Sequence, residues 1–119
     1  MEVIEITANC PERYCDARLE VDFRRRAAVL DQSPLRLTKM EYLLLSVLAL
    51  NVGDIVPRAT LLAEVWGYSP GVHTRTLDVH IRRLRGKLKD YSRQHIETIF
   101  GIGYRLQPAR PRARLSGVA

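Results

Sequence analysis

Between Thr38 and Leu50 the apolar residues fall at helical spacing. Met40, Leu43, Leu44, Val47 and Leu48 occupy i, i+3, i+4, i+7 and i+8, the stripe of a helix with one face on a core. Thr38-Lys39-Met40-Glu41 precedes it with capping-box spacing: the threonine hydroxyl accepts from the Glu41 backbone and the glutamate reaches back. Asn51-Val52-Gly53 ends it, with Gly53 available for a left-handed cap. Pro57 introduces a second helix, Arg58 to Trp66, with Leu61, Leu62, Val65 and Trp66 on one face; Gly67-Tyr68-Ser69-Pro70-Gly71 stops it. A third helix is expected from about Thr74 to Lys89.

On either side of these helices the period changes to two. Upstream, Val3–Thr7, Leu19–Phe23, Ala27–Leu30 and Leu35–Leu37 read as four short strands. Arg24-Arg25-Arg26 and Asp31-Gln32-Ser33-Pro34 supply turns. The connections are too short for crossovers, so an antiparallel meander is expected. Downstream, His95–Phe100 and Tyr104–Leu106 form a hairpin around Gly101-Ile102-Gly103, whose glycines permit the positive φ of a tight turn. Past Pro108 no apolar period remains. The expected organisation is one domain over residues 1–107 and a basic, mobile tail over 108–119.

The third helix carries the chemistry. With Leu77 at 0°, Ile81, Leu84 and Leu88 fall at about 40°, 340° and 20°, a narrow core seam. The opposite side collects Arg82 at about 140°, Arg75 at about 160°, Gly86 at about 180°, Val79 at about 200° and Arg83 at about 240°. Arg75, Arg82, Arg83, Arg85, Lys87 and Lys89 face a single acid, Asp78, and only Asp78–Arg82 has i,i+4 pairing. A face that merely met solvent would mix signs. Val79 and Gly86 are small enough for the helix to sink into a groove, where Val79 can pack on a thymine methyl and Arg83 can pair with guanine O6 and N7. Two helices, a third presented outward and a hairpin describe an α+β winged helix-turn-helix.

Composition agrees with a polyanion partner and excludes other classes. The chain has 119 residues, 19 Lys plus Arg against 13 Asp plus Glu, and a net charge of +6. No apolar run approaches the ~18 residues of a membrane span. The acidic start Met1-Glu2-Val3-Ile4-Glu5 lacks the basic opening of a signal peptide, so the chain reads as cytoplasmic. Cys10 and Cys15, with scattered His73, His80 and His95, read as ordinary thiols, and neither metal nor cofactor is expected. Ser46 and His95 belong to separate elements with no third partner, and no carboxylates pair in a cleft, so an enzyme is not expected.

The motifs together resemble a known family. They are Leu37-Thr38-Lys39-Met40-Glu41-Tyr42-Leu43-Leu44-Leu45, Arg58 to Leu62, Val65-Trp66-Gly67, Arg75 to Leu88, Ile96-Glu97-Thr98-Ile99 and Gly101-Ile102-Gly103-Tyr104-Arg105-Leu106. In that order they resemble the effector domain of OmpR/PhoB-type response regulators, in register over about residues 19 to 107. The resemblance implies a four-stranded N-terminal sheet, three helices and a wing. It implies binding of double-stranded promoter DNA as a tandem dimer, with the third helix in the major groove and the wing at the minor groove. By position, Val79 and Arg83 match base-contacting sites. Arg58, Arg75, Thr76, His80, Arg82 and Arg85 match backbone-contacting sites, and Thr98, Phe100, Gly101, Gly103 and Tyr104 form the wing. The loop Gly67 to His73 matches a segment that meets RNA polymerase in relatives. Pro57 replaces a common Ser or Thr cap. Phe100 stands where a basic wing residue is frequent, so Phe100 is expected under the wing and Thr98 becomes the candidate contact. The phosphoacceptor receiver domain that precedes this domain in the family is not represented in the chain. The rival expectation is a winged-helix protein-interaction module that has lost DNA binding.

Overall fold

The computed structural model describes residues 12–69 and 71–110. The strand expected at residues 3–7 and Cys10 lie outside the described residues. Four strands form an antiparallel sheet in chain order: β1 (Arg13–Cys15), β2 (Leu19–Asp22), β3 (Ala27–Leu30) and β4 (Ser33–Pro34). β1 was not foreseen, because Arg13-Tyr14-Cys15 shows no apolar alternation; it pairs with β2 through Arg13↔Asp22 and Cys15↔Glu20. The fourth strand forms at Ser33–Pro34 rather than Leu35–Leu37. Asp31 and Gln32 take φ values of 49° and 69°, closing a two-residue turn directly after Leu30. That turn pulls Ser33 opposite Leu30 and Pro34 opposite Val29, on an edge where proline is tolerated.

Then come α1 (Lys39–Leu50), β5 (Val56–Pro57), α2 (Arg58–Leu61, widening to π-helical spacing over Leu62–Trp66), α3 (Thr76–Leu88), α4 (Asp90–His95), β6 (Ile96–Ile99) and β7 (Gly103–Leu106). The capping box before α1 forms as expected: Glu41 N–H donates to Thr38 Oγ1 at 3.2 Å, and Thr38 N–H donates to Glu41 Oε1 at 2.9 Å. The buried face of α1 is displaced from the expected stripe. Leu44, Leu45, Leu48 and Ala49 are buried, as are Glu41 and Tyr42, whereas Met40, Leu43 and Val47 are only partly so. Ser46 is buried as well, and on a 100° wheel the buried residues span about 200°, because α1 is packed on more than one side. Leu19, Val21, Ala28 and Leu30 of the sheet share one core with it.

β5, β7 and β6 form a second sheet in that order. β5 was not expected, and it changes the role of Gly103. The turn glycine is Gly101, at φ +79°. Gly103 lies in β7 opposite Pro57, where an added Cβ would stand 2.0 Å from the Val56 carbonyl oxygen. The glycine is therefore required by close strand approach rather than by turn conformation.

The six-residue α4 was not foreseen either, since Tyr91 is its only large apolar residue. Tyr91 is fully buried, and its hydroxyl donates to Asp16 Oδ2 at 2.7 Å, beside the Tyr14 hydroxyl at 2.6 Å. The N–H groups of Arg18 and Leu19 donate to Asp16 Oδ1, each at 2.8 Å. Burial alone would raise the Asp16 carboxyl, but these four donors outweigh it and hold it below the usual carboxylate range. Arg18 pairs with Asp31 at 2.7 Å and Asp90 at 3.0 Å, over the face of the Tyr91 ring.

The expected domain edge at residue 107 falls inside a packed segment. Gln107 N–H donates to the His95 carbonyl at 2.7 Å, Ala109 is buried, and its carbonyl accepts from Ala17 N–H at 2.9 Å. Residues 111–119 lie outside the described residues. Replacing Gly103 by alanine is expected to destabilise the domain by about 3 kcal/mol, through overlap with rigid β5 backbone. Urea unfolding of Gly103→Ala measures this; a loss under about 1 kcal/mol would show that the strands separate freely.

Candidate nucleic-acid interface

The seam of α3 is buried as its spacing requires: Leu77, Ile81, Leu84 and Leu88 are all removed from solvent. The opposite side is open. Val79 is 40% exposed, and Arg75, Arg82, Arg83 and Gly86 are exposed around it. A Cβ added at Gly86 would meet nothing within 4 Å. The helix begins at Thr76, two residues later than expected, and the Thr74 hydroxyl accepts from Thr76 N–H at 3.1 Å.

The charges of α3 are distributed otherwise than sequence spacing suggests. Asp78 does not pair with Arg82. It binds Arg58 of α2 in a bidentate pair, at 2.6 and 2.9 Å, and accepts from the Tyr104 hydroxyl of β7 at 2.7 Å. The Arg58 guanidinium holds the Asp78 carboxyl below its ordinary value. Burial, reinforced by the Asp78 carboxylate, pushes the Tyr104 phenol up. Arg58 N–H also donates to the Ile102 carbonyl at 3.0 Å, so α2, α3 and the wing meet at one knot.

Two more cations are engaged. Arg85 donates to the Ile96 carbonyl at 2.9 Å and to Thr98 Oγ1 at 2.7 Å, and lies over the Tyr104 ring. Lys87 donates to Glu41 Oε1 at 2.6 Å, joining α3 to α1. The side chains of Arg75, Arg82, Arg83 and Lys89 have no hydrogen-bond or ion-pair partner among the described residues. Of the six cations on α3 and at its end, four therefore remain available to a ligand.

His80 is half-buried, edge-on to Trp66 with ring centroids 5.0 Å apart. Its Nδ1 lies 2.8 Å from the Thr76 carbonyl, which can only accept, so that nitrogen carries the proton and Nε2 is left for an outside partner. Thr76 shares a hydroxyl contact with Thr74 at 2.9 Å. In the wing, Phe100 does not pack beneath the hairpin; it is 89% exposed. The last strand pair is Ile99↔Gly103, which leaves Phe100 in the turn with no surface below it. Gly101 beside it is exposed, whereas Gly103 and Tyr104 are buried. Thr98 is half-buried and already accepts from Arg85.

Sequence reasoning assigned no role to the far end of α3. There Lys89 and Arg93 line a cleft with Gly86 and Ser92. Lys89 was visible only as one charge among six, and Arg93 lies in a segment with no apolar period. Cys15 is an exposed free thiol, and no cluster of metal-ligand residues occurs among the described residues.

The Glu41–Lys87 pair generates a pH-dependent prediction. Burial would raise the Glu41 carboxyl, but Lys87 and the Thr38 N–H outweigh burial and lower it. Stability from this group is complete above the ordinary glutamate value of about 4.3, and is lost as pH falls through the lower folded value. Lys87→Met is expected to cost about 1–3 kcal/mol at pH 7, by orphaning a buried carboxylate. The cost stays below the fully buried case because the Lys87 side chain is 38% exposed. The deficit should shrink below about pH 5 as the orphaned carboxyl protonates; urea unfolding at several pH values checks it, and a pH-independent deficit would refute the ion pair.

Comparisons with known proteins fit this geometry. The family described as "Transcriptional regulatory protein, C terminal" matches residues 32–106. The probable transcriptional regulator ycf27 of Galdieria sulphuraria is 44% identical over 93 residues, covering 75% of this chain and 36% of that protein. Response regulator ArlR of Staphylococcus aureus is 41% identical over 87 residues, covering 72% of this chain and 40% of its own. The chain thus spans well under half the length of these curated relatives. The DNA-binding domain of CpxR from E. coli superposes with a TM-score of 0.74 at 33% identity, covering 83% of this chain and 99% of that one. The DNA-binding domain of Klebsiella pneumoniae RstA, solved in complex with the RstA box, gives 0.76 at 29% identity, over 83% of this chain and all of that one (100%). With its open arginine face, buried seam and hairpin wing, the chain belongs to the C-terminal domain family of transcriptional regulatory proteins, the winged-helix DNA-binding domains of OmpR/PhoB-type response regulators.

Proposed function

We propose that this domain binds double-stranded promoter DNA sequence-specifically, with α3 lying in the major groove. The observation that carries the reading is the outward side of α3: small Val79 and Gly86 at its centre, flanked by Arg75, Arg82 and Arg83, which have no partner among the described residues. Val79 and Arg83 read base edges. Arg75, Thr76, Arg82 and His80, through its free Nε2, meet phosphates. Arg58 and Arg85 act mainly inside the protein, holding α2 and the wing against α3, and approach the backbone only at their remaining N–H groups. The tip of the wing presents Phe100 and Ile102, so its minor-groove contact is apolar rather than cationic.

Assembly as a tandem dimer and contact of loop 67–73 with RNA polymerase belong to the same proposal; the exposed Val72 in that loop supports the latter. The same proposal places the domain in the cytoplasm, beside the promoter DNA it would bind. The rival reading, an interaction module without DNA binding, calls for acidic or bulky residues on the outer face of α3, and Val79, Arg82, Arg83 and Gly86 are the opposite.

Titration of a labelled random duplex at low and moderate salt tests the proposal; no binding at low salt refutes it. Arg83→Ala is expected to cost about 1–3 kcal/mol on a selected site and to relax preference at one base. An equal loss on random DNA would remove its reading role. Arg82→Ala is expected to weaken all sequences alike and to lower the salt slope by about one.

A further inference from the structure

Lys89 ends α3 in a backbone conformation unsuited to lysine. Its φ is 55° and its ψ −133°, far from the left-handed helical well and in territory that glycine enters freely. Nothing around it requires a side chain. Lys89 is exposed, and its ammonium has no partner among the described residues. Glycine would satisfy the turn with less strain, so the chain carries a lysine here against its backbone preference. A non-glycine residue held in such a conformation points to a role for its side chain.

The surroundings indicate what that role is. Lys89 lines a cleft of about 580 Å³ with Arg93, which is also exposed and unpartnered among the described residues. Gly86 leaves the cleft open between them. The one acid lining the cleft among the described residues, Asp90, binds Arg18 at 3.0 Å, and Arg85 is turned onto β6. Ser92 Oγ donates to the Lys89 carbonyl at 2.8 Å and lies 3.2 Å from the Arg85 carbonyl, so it covers helix-end oxygens that would repel an anion. Among the residues lining the cleft, Arg85, Lys89 and Arg93 outnumber Asp90, which shares the Arg18 guanidinium with Asp31, so the cleft is net cationic and fits an anionic oxygen group.

Helix length supplies the source of that group. The 13 residues of α3 are about 20 Å long, against a major groove about 12 Å wide. With Val79 and Arg83 on base edges, a helix of that length would carry its C-terminal end beyond the groove, toward the phosphate ridge opposite the one met by Arg75. We propose that Lys89 and Arg93 form a second phosphate-binding site for the duplex backbone, and that the strained backbone at Lys89 is retained for this contact. The inference rests on the DNA-binding reading above. It adds a sequence-independent clamp at the far end of the helix.

Anisotropy titrations of a labelled random-sequence duplex, from about 50 to 200 mM salt, test it. Lys89→Gln and Arg93→Gln are each expected to lower the slope of log K against log salt by about one unit, equally on random duplex and on a selected site. Lys89→Gly should lose the same contact and raise the thermal midpoint by about 5 °C through relief of strain. Wild-type binding with unchanged slopes in both glutamine variants would overturn this site and leave the DNA-binding reading intact. A glycine variant with neither a higher midpoint nor weaker binding would also overturn it. Absence of wild-type binding at 50 mM salt would overturn both readings.

Discussion

The rotation of α3 about its own axis is set by one apolar seam. Leu77, Ile81, Leu84 and Leu88 must leave water together, and each contributes roughly 1.5–3 kcal/mol when buried. Their sum is of the order of a whole domain's net stability. Turning the helix by half a turn would expose all four and bury arginines without partners, which the domain could not sustain. The direction in which Val79 and Arg83 point therefore follows from the core, not from any interaction of their own. A reader helix needs such a constraint, because contacts made on a groove floor tolerate little angular error.

Polar contacts then fix what the seam leaves loose. The seam sets rotation but permits sliding and tilt. Arg58–Asp78–Tyr104 ties α3 to α2 and β7, Arg85 ties it to β6, and Lys87 ties it to α1. The partly exposed Arg58–Asp78 pair adds little net stability, so its value lies in geometry, whereas Lys87 also keeps the buried Glu41 carboxylate from being orphaned. Each also withdraws a charge from the surface, which narrows the cationic area to the residues facing outward. A second set of contacts, centred on Asp16 and Arg18, fastens the N-terminal sheet to Tyr91 and Asp90, immediately after α3. Both ends of the helix are thus anchored to other layers, the first through α2 and the wing, the last through α4.

The wing illustrates how neighbouring strands redefine residues. As a hairpin alone, Gly101-Ile102-Gly103 is a turn with two flexible positions. Once Val56–Pro57 pairs with β7, Gly103 becomes a contact point between backbones, and flexibility is no longer its function. The hairpin register of β6 and β7 ends at Ile99↔Gly103, which leaves Phe100 beyond the last pair and exposed to solvent.

Periodicity alone determined the three helices, the capping box at Thr38, the buried seam of α3 and the outward placing of Val79, Arg82, Arg83 and Gly86. These are local properties: the 3.6-residue repeat and the reach of a side chain to its own backbone need no knowledge of distant residues. The antiparallel meander was legible for the same reason, apart from its edges. The tertiary structure alone decided the partners of Asp78, Arg85 and Lys87, whose contacts lie 20, 11 and 46 residues away. It also decided β1, β5 and α4, which carry too little apolar pattern to announce themselves and exist because neighbours complete them. The buried arc of α1 and the close approach at Gly103 belong here too, since both depend on what packs from outside the element. Local spacing tells which face of a helix is apolar; only the folded chain tells which charges on the other face remain free.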